Sequence, residues 1–152
     1  MKISTIVFPV QDDLIFLANK KRGFGVGYLN GYGGKKQPED LTIEDTAVRE
    51  LQEEAGIIAQ ELEKVAVIEF FEEENPIFEC HVFFCHRWDG KLHETEEMAV
   101  PEPYKMDSLP FDQMWHADRT WIPIVCSGQR IHAKSYYNKG MTKQERFEQK
   151  PL

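Results

Sequence analysis

The most informative stretch of the chain runs Arg49-Glu50-Leu51-Gln52-Glu53-Glu54-Ala55-Gly56-Ile57. Its residues 49–55 form the end of a longer segment, 42–55. Apolar residues recur there at steps of three and four positions, as they do in an amphipathic helix. Thr42 is a suitable N-cap, and Gly56 follows directly after the last periodic residue. The sequence therefore predicts a helix over 42–55.

Three carboxylates share one face of this predicted helix. Glu50, Glu53 and Glu54 are spaced i, i+3 and i+4, so their side chains project to the same side. Like charges placed in this way repel one another, and only Arg49 offers relief within the segment. Hard oxygen ligands on a rigid element suit Mg²⁺ or Mn²⁺. The face is therefore either a metal site or, in the simpler interpretation, a solvated acidic surface.

Together with Gly34, this helix resembles the Nudix box, G-x5-E-x7-R-E-U-x-E-E-x-G-U, where U is a bulky aliphatic residue. The second half matches at every fixed position from Arg49 to Ile57. The first half differs, because Asp40 stands in place of the first glutamate and eight residues instead of seven separate it from Arg49. In the family this acid pairs with the arginine. Either Asp40 does so across a longer loop, or the support of the helix has changed.

The resemblance implies an α/β (α+β) fold, an α/β/α sandwich built on a mixed β-sheet, and a hydrolase that depends on Mg²⁺, or on Mn²⁺ in its place. The metal ligands that it implies are the backbone carbonyl of Gly34 and the carboxylates of Glu50, Glu53 and Glu54. A further carboxylate from a separate loop acts as ligand or base in the family. We select Glu97 for this role, with Glu96 as the alternative. The catalytic residues implied are then Arg49, Glu53, Glu54 and Glu97.

The rest of the chain is predicted mainly as strands. Apolar, β-branched runs indicate strands over 3–10, 14–19, 65–71, 77–87, 103–107 and 130–137, the first two forming a hairpin. A short helix is expected over 117–127, interrupted at Pro123. This order favours a mixed sheet with helices on its faces. We expect one domain over 1–138, followed by a loose C-terminal tail over 139–152.

The resemblance extends to the MutT-type enzymes of the family that hydrolyse oxidised purine nucleoside triphosphates such as 8-oxo-dGTP. The glycine-rich run 20–35 and the segment 111–123 look like the stretches that line the base pocket in those enzymes. The substrate-binding residues implied are Lys20, Phe24, Asn30, Trp115 and Asp118. Among them Trp115 would stack on the purine, while Asn30 and Asp118 would hydrogen-bond its edges.

Each of these assignments has a simpler alternative. Trp115 could be a core aromatic residue, Asn30 a turn residue, and Lys20 a solvent-exposed residue of a loop. Two positions also depart from the resembled enzymes: Leu29 stands where a tryptophan is usual, and Ala117 where the first of two adjacent aspartates is usual.

The function implied is metal-dependent hydrolysis of an oxidised purine nucleoside triphosphate to monophosphate and pyrophosphate. This reaction removes the oxidised nucleotide from the nucleotide pool. One alternative is a Nudix hydrolase of another nucleoside diphosphate derivative. Another is a nucleotide-binding Nudix-like module without turnover, which the intact carboxylates oppose, because a pure binding module need not keep them.

Composition adds limits on partners and location. The formal net charge of −8 argues against broad binding to nucleic acid polymers, which needs many Lys and Arg contacts to phosphates. The three cysteines are an odd number at low density, which favours a reducing compartment. The N-terminal apolar run is too short for a signal peptide or a membrane span. We therefore expect a cytoplasmic protein that acts on a small-molecule nucleotide and does not contact a membrane.

Overall fold

Eight strands form one mixed sheet in the computed structural model, which describes residues 1–152. The strands are β1 (Lys2–Gln11), β2 (Leu14–Asn19), β3 (Leu29–Asn30), β4 (Ile58–Glu72), β5 (Asn75–Asp89), β6 (Glu102–Lys105), β7 (Ile131–Tyr137) and β8 (Gln144–Pro151). The helices are α1 (Ile43–Ala55), α2 (Asp118–Cys126) and a 3-10 turn at Phe111–Gln113. The strand order is β3-β2-β1-β5-β4-β7-β8, and β6 also pairs with β2. The pairs β1–β5 and β4–β7 are parallel, and the others are antiparallel.

Two hydrophobic cores lie on opposite faces of this sheet. Successive side chains of a strand point to opposite faces, so Val7 and Phe83 pack in the core under α1, while Phe8 and Phe84 pack in the core under α2. Each helix therefore covers one face of the sheet. The predicted α/β/α sandwich with a mixed sheet is confirmed.

Helix α1 begins and ends where the sequence predicts. The side chain of Thr42 accepts a hydrogen bond from Asp45 N at 3.1 Å, and Asp45 Oδ2 accepts one from Thr42 N at 3.1 Å. This reciprocal capping box satisfies two free N–H groups at the helix start. At the other end Gly56 takes a left-handed conformation, with φ of 73°, and donates to Gln52 O at 3.0 Å.

Helix α2 runs through Pro123 without a break, so the predicted interruption is wrong. A proline within a helix removes one hydrogen bond, to the carbonyl four residues earlier. In this nine-residue helix that carbonyl belongs to Arg119, in the first turn, so the cost to the rest of the helix is limited. Neither α1 nor α2 has the length and hydrophobicity that a membrane span requires.

Strands β4 and β5 form a hairpin that extends well beyond the predicted runs 65–71 and 77–87. The added residues, such as 58–64, are mostly exposed or half-buried and include several charged side chains. Their pairing rests on backbone hydrogen bonds more than on buried apolar surface, and a search for apolar runs does not detect it.

The C-terminal residues are more ordered than expected. We predicted a loose tail over 139–152, but residues 144–151 form β8, which pairs with β7 from Ile131 to Tyr137. Strand β8 reads Gln-Glu-Arg-Phe-Glu-Gln-Lys-Pro, in which only Phe147 packs against the core. One apolar residue in eight is too weak a signal to predict a strand.

Replacing Gly56 by alanine should destabilise the fold more than the same change at Gly128. Both glycines have positive φ values, 73° and 104°, which alanine disfavours. A Cβ at Gly56 would also collide with the imidazole of His93, whereas Gly128 has open space around it. We expect urea denaturation to show a loss of about 1 kcal/mol for Gly128→Ala and of about 2 kcal/mol for Gly56→Ala, because the exposed His93 ring must turn away and lose its hydrogen bond to Lys91 O. Equal losses would contradict the described packing.

Candidate active site

Two glycines let the chain pass closely between β1 and α1. Gly33 N donates to Glu54 Oε1 at 2.9 Å, and Gly34 O accepts from Thr5 N at 2.9 Å. A Cβ on Gly33 would collide with the backbone of Thr5, and a Cβ on Gly34 would collide with the carboxylate of Glu50. A side chain at Gly33 would push this loop away from β1, and a side chain at Gly34 would displace the carboxylate of Glu50.

Arg49 fastens the carboxylate face of α1 to the loop that precedes the helix. Its Nε and Nη2 donate to the two oxygens of Asp40 at 3.1 and 2.8 Å. Asp40 also accepts from Gln37 N and from the Thr46 hydroxyl, each at 2.9 Å. The Arg49 guanidinium and these donors hold the pKa of Asp40 well below its usual range. Of the two alternatives that the sequence leaves open, Asp40 therefore pairs with the arginine across the longer loop.

The three carboxylates of α1 lie in different environments. Glu50 and Glu54 are buried, whereas the side chain of Glu53 is 58% exposed. Burial raises the pKa of Glu54 to about 7 and also raises that of Glu50. Arg49 Nη1 lies 2.8 Å from Glu50 and 3.5 Å from Glu53, and Lys20 Nζ lies 3.5 Å from Glu54. Each carboxylate thus has a cationic neighbour, and no three His, Cys, Asp or Glu side chains converge on one point.

A loop carboxylate approaches this face from the segment before β6. Lys20 Nζ lies 3.9 Å from Glu97 and so stands between Glu97 and Glu54. Arg22 donates to Glu97 Oε1 at 2.7 Å, which lowers the pKa of that carboxyl. Glu96, the alternative, is 88% exposed. Glu97 is therefore the loop carboxylate that lies closer to α1.

A cavity of about 530 Å³ opens beside these groups. The predicted site residues that line it are Lys20, Phe24, Asn30, Gly34, Glu54, Trp115 and Asp118. The predicted site residues that do not line it are Arg49, Glu50, Glu53 and Glu97. The cavity therefore contacts every residue assigned to substrate and reaches the carboxylate helix at Glu54.

Aromatic rings stand at one side of this cavity. Trp115 is half-buried, and its ring lies 5.1 Å from that of Phe24 and 4.7 Å from that of Tyr28, at angles of 28° and 30°. Trp115 is thus part of the cavity wall and does not pack within either buried core. Asn30 also lines the cavity, and its Oδ1 accepts from Gly31 N at 2.9 Å.

Three buried polar atoms in the cavity wall form no hydrogen bond of good geometry: Thr5 Oγ1, Asp118 Oδ2 and Trp121 Nε1. The indole N–H of Trp121 nevertheless lies beside the Asp118 carboxyl. Burial raises the pKa of Asp118 to about 7. Unpaired polar groups in a protein interior cost free energy, and nearly all native ones have partners. A hydroxyl, a carboxyl and an indole N–H in the wall of one cavity can therefore form hydrogen bonds with a polar ligand.

Comparison with known proteins now identifies the family. Residues 2–123 match the NUDIX domain. The chain belongs to the Nudix family. The oxidized purine nucleoside triphosphate hydrolases of Danio rerio and Mus musculus are each 40% identical to it over 131 residues, which is 86% of this chain and 83% of each relative. The MutT mutator protein of Bacillus halodurans shares the fold, with a TM-score of 0.79 at 21% identity over 100% of this chain and 99% of that one.

Nudix hydrolases in general require a divalent metal ion, and the donors in this Nudix chain suit one. Glu50, Glu53 and Glu54 supply hard carboxylate oxygens from one helix face. Gly34 lies so close to Glu50 that a Cβ would fill the space between them. Its carbonyl accepts one hydrogen bond, from Thr5, and keeps a second lone pair.

The two positions that depart from the resembled Nudix hydrolases lie behind the cavity wall. Leu29 and Ala117 are both buried in the core under α2, and neither side chain lines the cavity. The backbone N–H of Ala117 donates to the Tyr137 hydroxyl at 3.0 Å. In this chain only one carboxylate, that of Asp118, therefore reaches the cavity from this segment.

Several cavity residues were not assigned from the sequence. Thr5 follows Ser4 in a strand whose next residues are apolar, and such a short polar pair is a weak signal on its own. Trp121 lies in the segment 111–123, which resembles a stretch that lines the base pocket in MutT-type enzymes. That its N–H is buried is visible only in the fold. Tyr137 and Met141 enter from the β7–β8 hairpin, where the sequence predicted a loose tail after residue 138.

Asp118→Asn should stabilise the Nudix fold, and by more at neutral than at acidic pH. The carboxyl has a pKa of about 7 in the fold and an ordinary value of 3.8. Between these values the native state keeps a proton that the unfolded state has lost, so the stability of the parent falls as pH rises through this window. Asparagine cannot ionise, so the variant should gain at most about 4 kcal/mol relative to the parent by pH 7.

Urea denaturation at several pH values between about 4 and 7 measures this difference in unfolding free energy. Asp112→Asn is the matched control, because Asp112 is exposed in the preceding 3-10 turn. If the difference in unfolding free energy between Asp118→Asn and the parent stays constant over this pH range, burial does not raise the pKa of Asp118.

Proposed function

We propose that this chain hydrolyses an oxidised purine nucleoside triphosphate, such as 8-oxo-dGTP, to the monophosphate and pyrophosphate, and so clears it from the nucleotide pool. The observation that carries the proposal is the cavity, which presents aromatic rings and buried polar groups next to the acidic helix of a Nudix domain. The relatives named as oxidized purine nucleoside triphosphate hydrolases support the same substrate class.

The chemistry of the cavity wall suits a purine base. A base needs apolar surface against its ring and polar groups at its edges. Trp115 and Phe24, whose rings lie 5.1 Å apart, form an apolar wall against which the base would lie. Asn30 and Asp118 then bond the base edges. Because the pKa of Asp118 is about 7, this carboxyl accepts hydrogen bonds when ionised, above neutrality, and donates one when protonated, below it.

The phosphate chain would extend from the base towards α1. Lys20, Gly34 and Glu54 line the end of the cavity that borders the carboxylate helix. Lys20 carries the positive charge that a triphosphate needs at this point, and it already lies 3.5 Å from Glu54. Gly34 allows a phosphate to approach the backbone closely, since no side chain intervenes. The base site and the acidic helix thus serve two ends of one nucleotide.

We propose Mg²⁺, which Mn²⁺ can replace, as the metal, with Glu50, Glu53, Glu54, Glu97 and the Gly34 carbonyl as its ligands. A bound divalent ion neutralises phosphate charge and lowers the pKa of an attacking water. Arg49 pairs with both Glu50 and Glu53 and so keeps their carboxylates on the same side of the helix. Glu53, Glu54 and Glu97 are then the groups placed to orient the attacking water and accept its proton.

We propose that the protein is cytoplasmic and acts on a free nucleotide, and the cysteines and the net charge agree with this. Cys80, Cys85 and Cys126 are free, as is usual in the reducing cytoplasm. The net charge of −8 disfavours a polyanionic polymer, so we propose a free nucleotide as the only substrate type.

An assay over a nucleotide panel, with products resolved, tests this function. We expect Mg²⁺-dependent conversion of 8-oxo-dGTP to its monophosphate and pyrophosphate, with kcat/KM at least about 10-fold above that for dGTP. The panel should include a nucleoside diphosphate sugar and a dinucleoside polyphosphate. Release of single phosphates, or a preference for either of these other substrates, would contradict the proposal.

The same assay should show that the acidic face of α1 is required. Glu53→Gln and Glu54→Gln replace a carboxylate by an amide of similar shape, so each should lower kcat by at least about 100-fold while the fold persists. Glu44→Gln, at an exposed position in the first turn of the same helix, is the matched control and should behave as the parent. Near-normal turnover in both active-site variants would contradict the assignment.

A further inference from the structure

Gln144 fastens the segment that carries Trp115 and Asp118 to the C-terminal hairpin. Its backbone N–H donates to His116 Nδ1 at 3.1 Å, and its Oε1 accepts from the Thr120 hydroxyl at 2.7 Å. Its Nε2 donates to Ser135 Oγ at 3.1 Å. We refer to these four residues, His116, Thr120, Ser135 and Gln144, as the Gln144 clamp.

The clamp holds both sides of the short segment that faces the cavity. His116 directly follows Trp115, and Thr120 lies two residues after Asp118. The anchor on the other side is firm, because Ser135 of β7 is fully buried. Gln144, the first residue of β8, thus bridges the sheet and the start of α2.

The hydrogen bond to His116 requires a particular form of its imidazole. A backbone N–H can only donate, so Nδ1 must carry a lone pair and the ring must be neutral. Burial, together with the nearby positive charges of Arg119 and Lys143, lowers the pKa of His116. The neutral ring that the clamp needs is therefore the form present at neutral pH.

A second contact from the same hairpin supports the middle of the segment. Tyr137 pairs with Gln144 in the β7–β8 ladder, and its hydroxyl accepts from Ala117 N at 3.0 Å. The side chain of Tyr137 lines the cavity, whereas that of Gln144 does not. Any effect of Gln144 on a nucleotide in the cavity must therefore pass through the residues that it holds.

We propose that Gln144 is a positioning residue that holds Trp115 and Asp118 at the base cavity. It acts through its bonds to His116 and Thr120 and touches no part of the nucleotide. The proposal rests on the proposed function, because it concerns the base cavity of that reaction. Without the clamp the segment would sample other conformations, and the apparent affinity would fall by the fraction of molecules that remain competent to bind. The phosphate end, on α1, would be unaffected once the nucleotide is bound.

Gln144→Met tests the side-chain part of the clamp, because methionine has a similar length and lacks the bonds to Thr120 and Ser135, while the backbone bond to His116 remains. We expect it to raise KM for 8-oxo-dGTP, and Kd for 8-oxo-dGMP measured by tryptophan fluorescence, by about 10-fold, with kcat within about 2-fold of the parent. Gln149→Met is the matched control at an exposed position of the same strand and should match the parent. A KM and Kd within about 2-fold of the parent in folded Gln144→Met would overturn the proposal.

A double-mutant cycle separates positioning from general stability. In an Asp118→Asn background the effect of Gln144→Met should shrink to about 2-fold, since the group that the clamp positions is already altered. An undiminished effect would show that Gln144 does not act through Asp118. If Gln144→Met does not fold, Thr120→Val removes only the 2.7 Å bond and is expected to shift KM in the same direction. No shift in that variant would also overturn the proposal.

Hydrogen exchange separates the clamp from the proposed function. In nucleotide-free protein the backbone amides of residues 115–120 should exchange at least about 10-fold faster in Gln144→Met than in the parent, whatever the substrate. Unchanged exchange would overturn the clamp even if the parent hydrolyses 8-oxo-dGTP. Faster exchange in a chain whose parent does not hydrolyse 8-oxo-dGTP would support the clamp and contradict the proposed function alone.

Discussion

The close approach of Gly33 and Gly34 to β1 and α1 is the constraint on which the site depends. Because neither residue has a side chain, Gly33 can donate to the buried carboxylate of Glu54, and Gly34 can lie against Glu50. The hydrogen bond from Gly33 offsets part of the cost of burying Glu54. Both glycines also line the cavity, so the carboxylate helix and the base site share one wall.

Charge compensation is the second requirement of this arrangement. Helix α1 presents three carboxylates on one face, in a chain with a net charge of −8. Arg49 bridges that face to Asp40, and its two bonds to Asp40 hold the helix against the longer loop. Lys20 lies 3.5 Å from Glu54 and offsets part of the cost of burying its carboxylate. Cationic side chains thus stabilise the acidic face, and one of them, Lys20, also lines the cavity.

Local signals explain what the sequence could predict. The boundaries of α1 follow from Thr42 and Gly56 and were predicted correctly. The spacing of Glu50, Glu53 and Glu54 is visible in the sequence, but their different burial depends on the fold. Strand β8 and the Gln144 clamp depend on pairing with β7, which leaves almost no trace in the sequence of β8. The buried polar atoms of Thr5 and Trp121 are equally a property of the fold, because burial of a polar atom depends on residues distant in the chain. Pro123 shows the converse error, since a strong local signal was overridden by packing.

A structure of Glu54→Gln with 8-oxo-dGTP and Mg²⁺ tests most directly the claim that one cavity joins base recognition to the carboxylate helix. We expect the purine to lie against Trp115, with an edge within hydrogen-bond distance of Asp118 Oδ2, and the phosphates to extend towards Gly34 and Glu50. A base bound outside the cavity, or phosphates directed away from α1, would contradict this account.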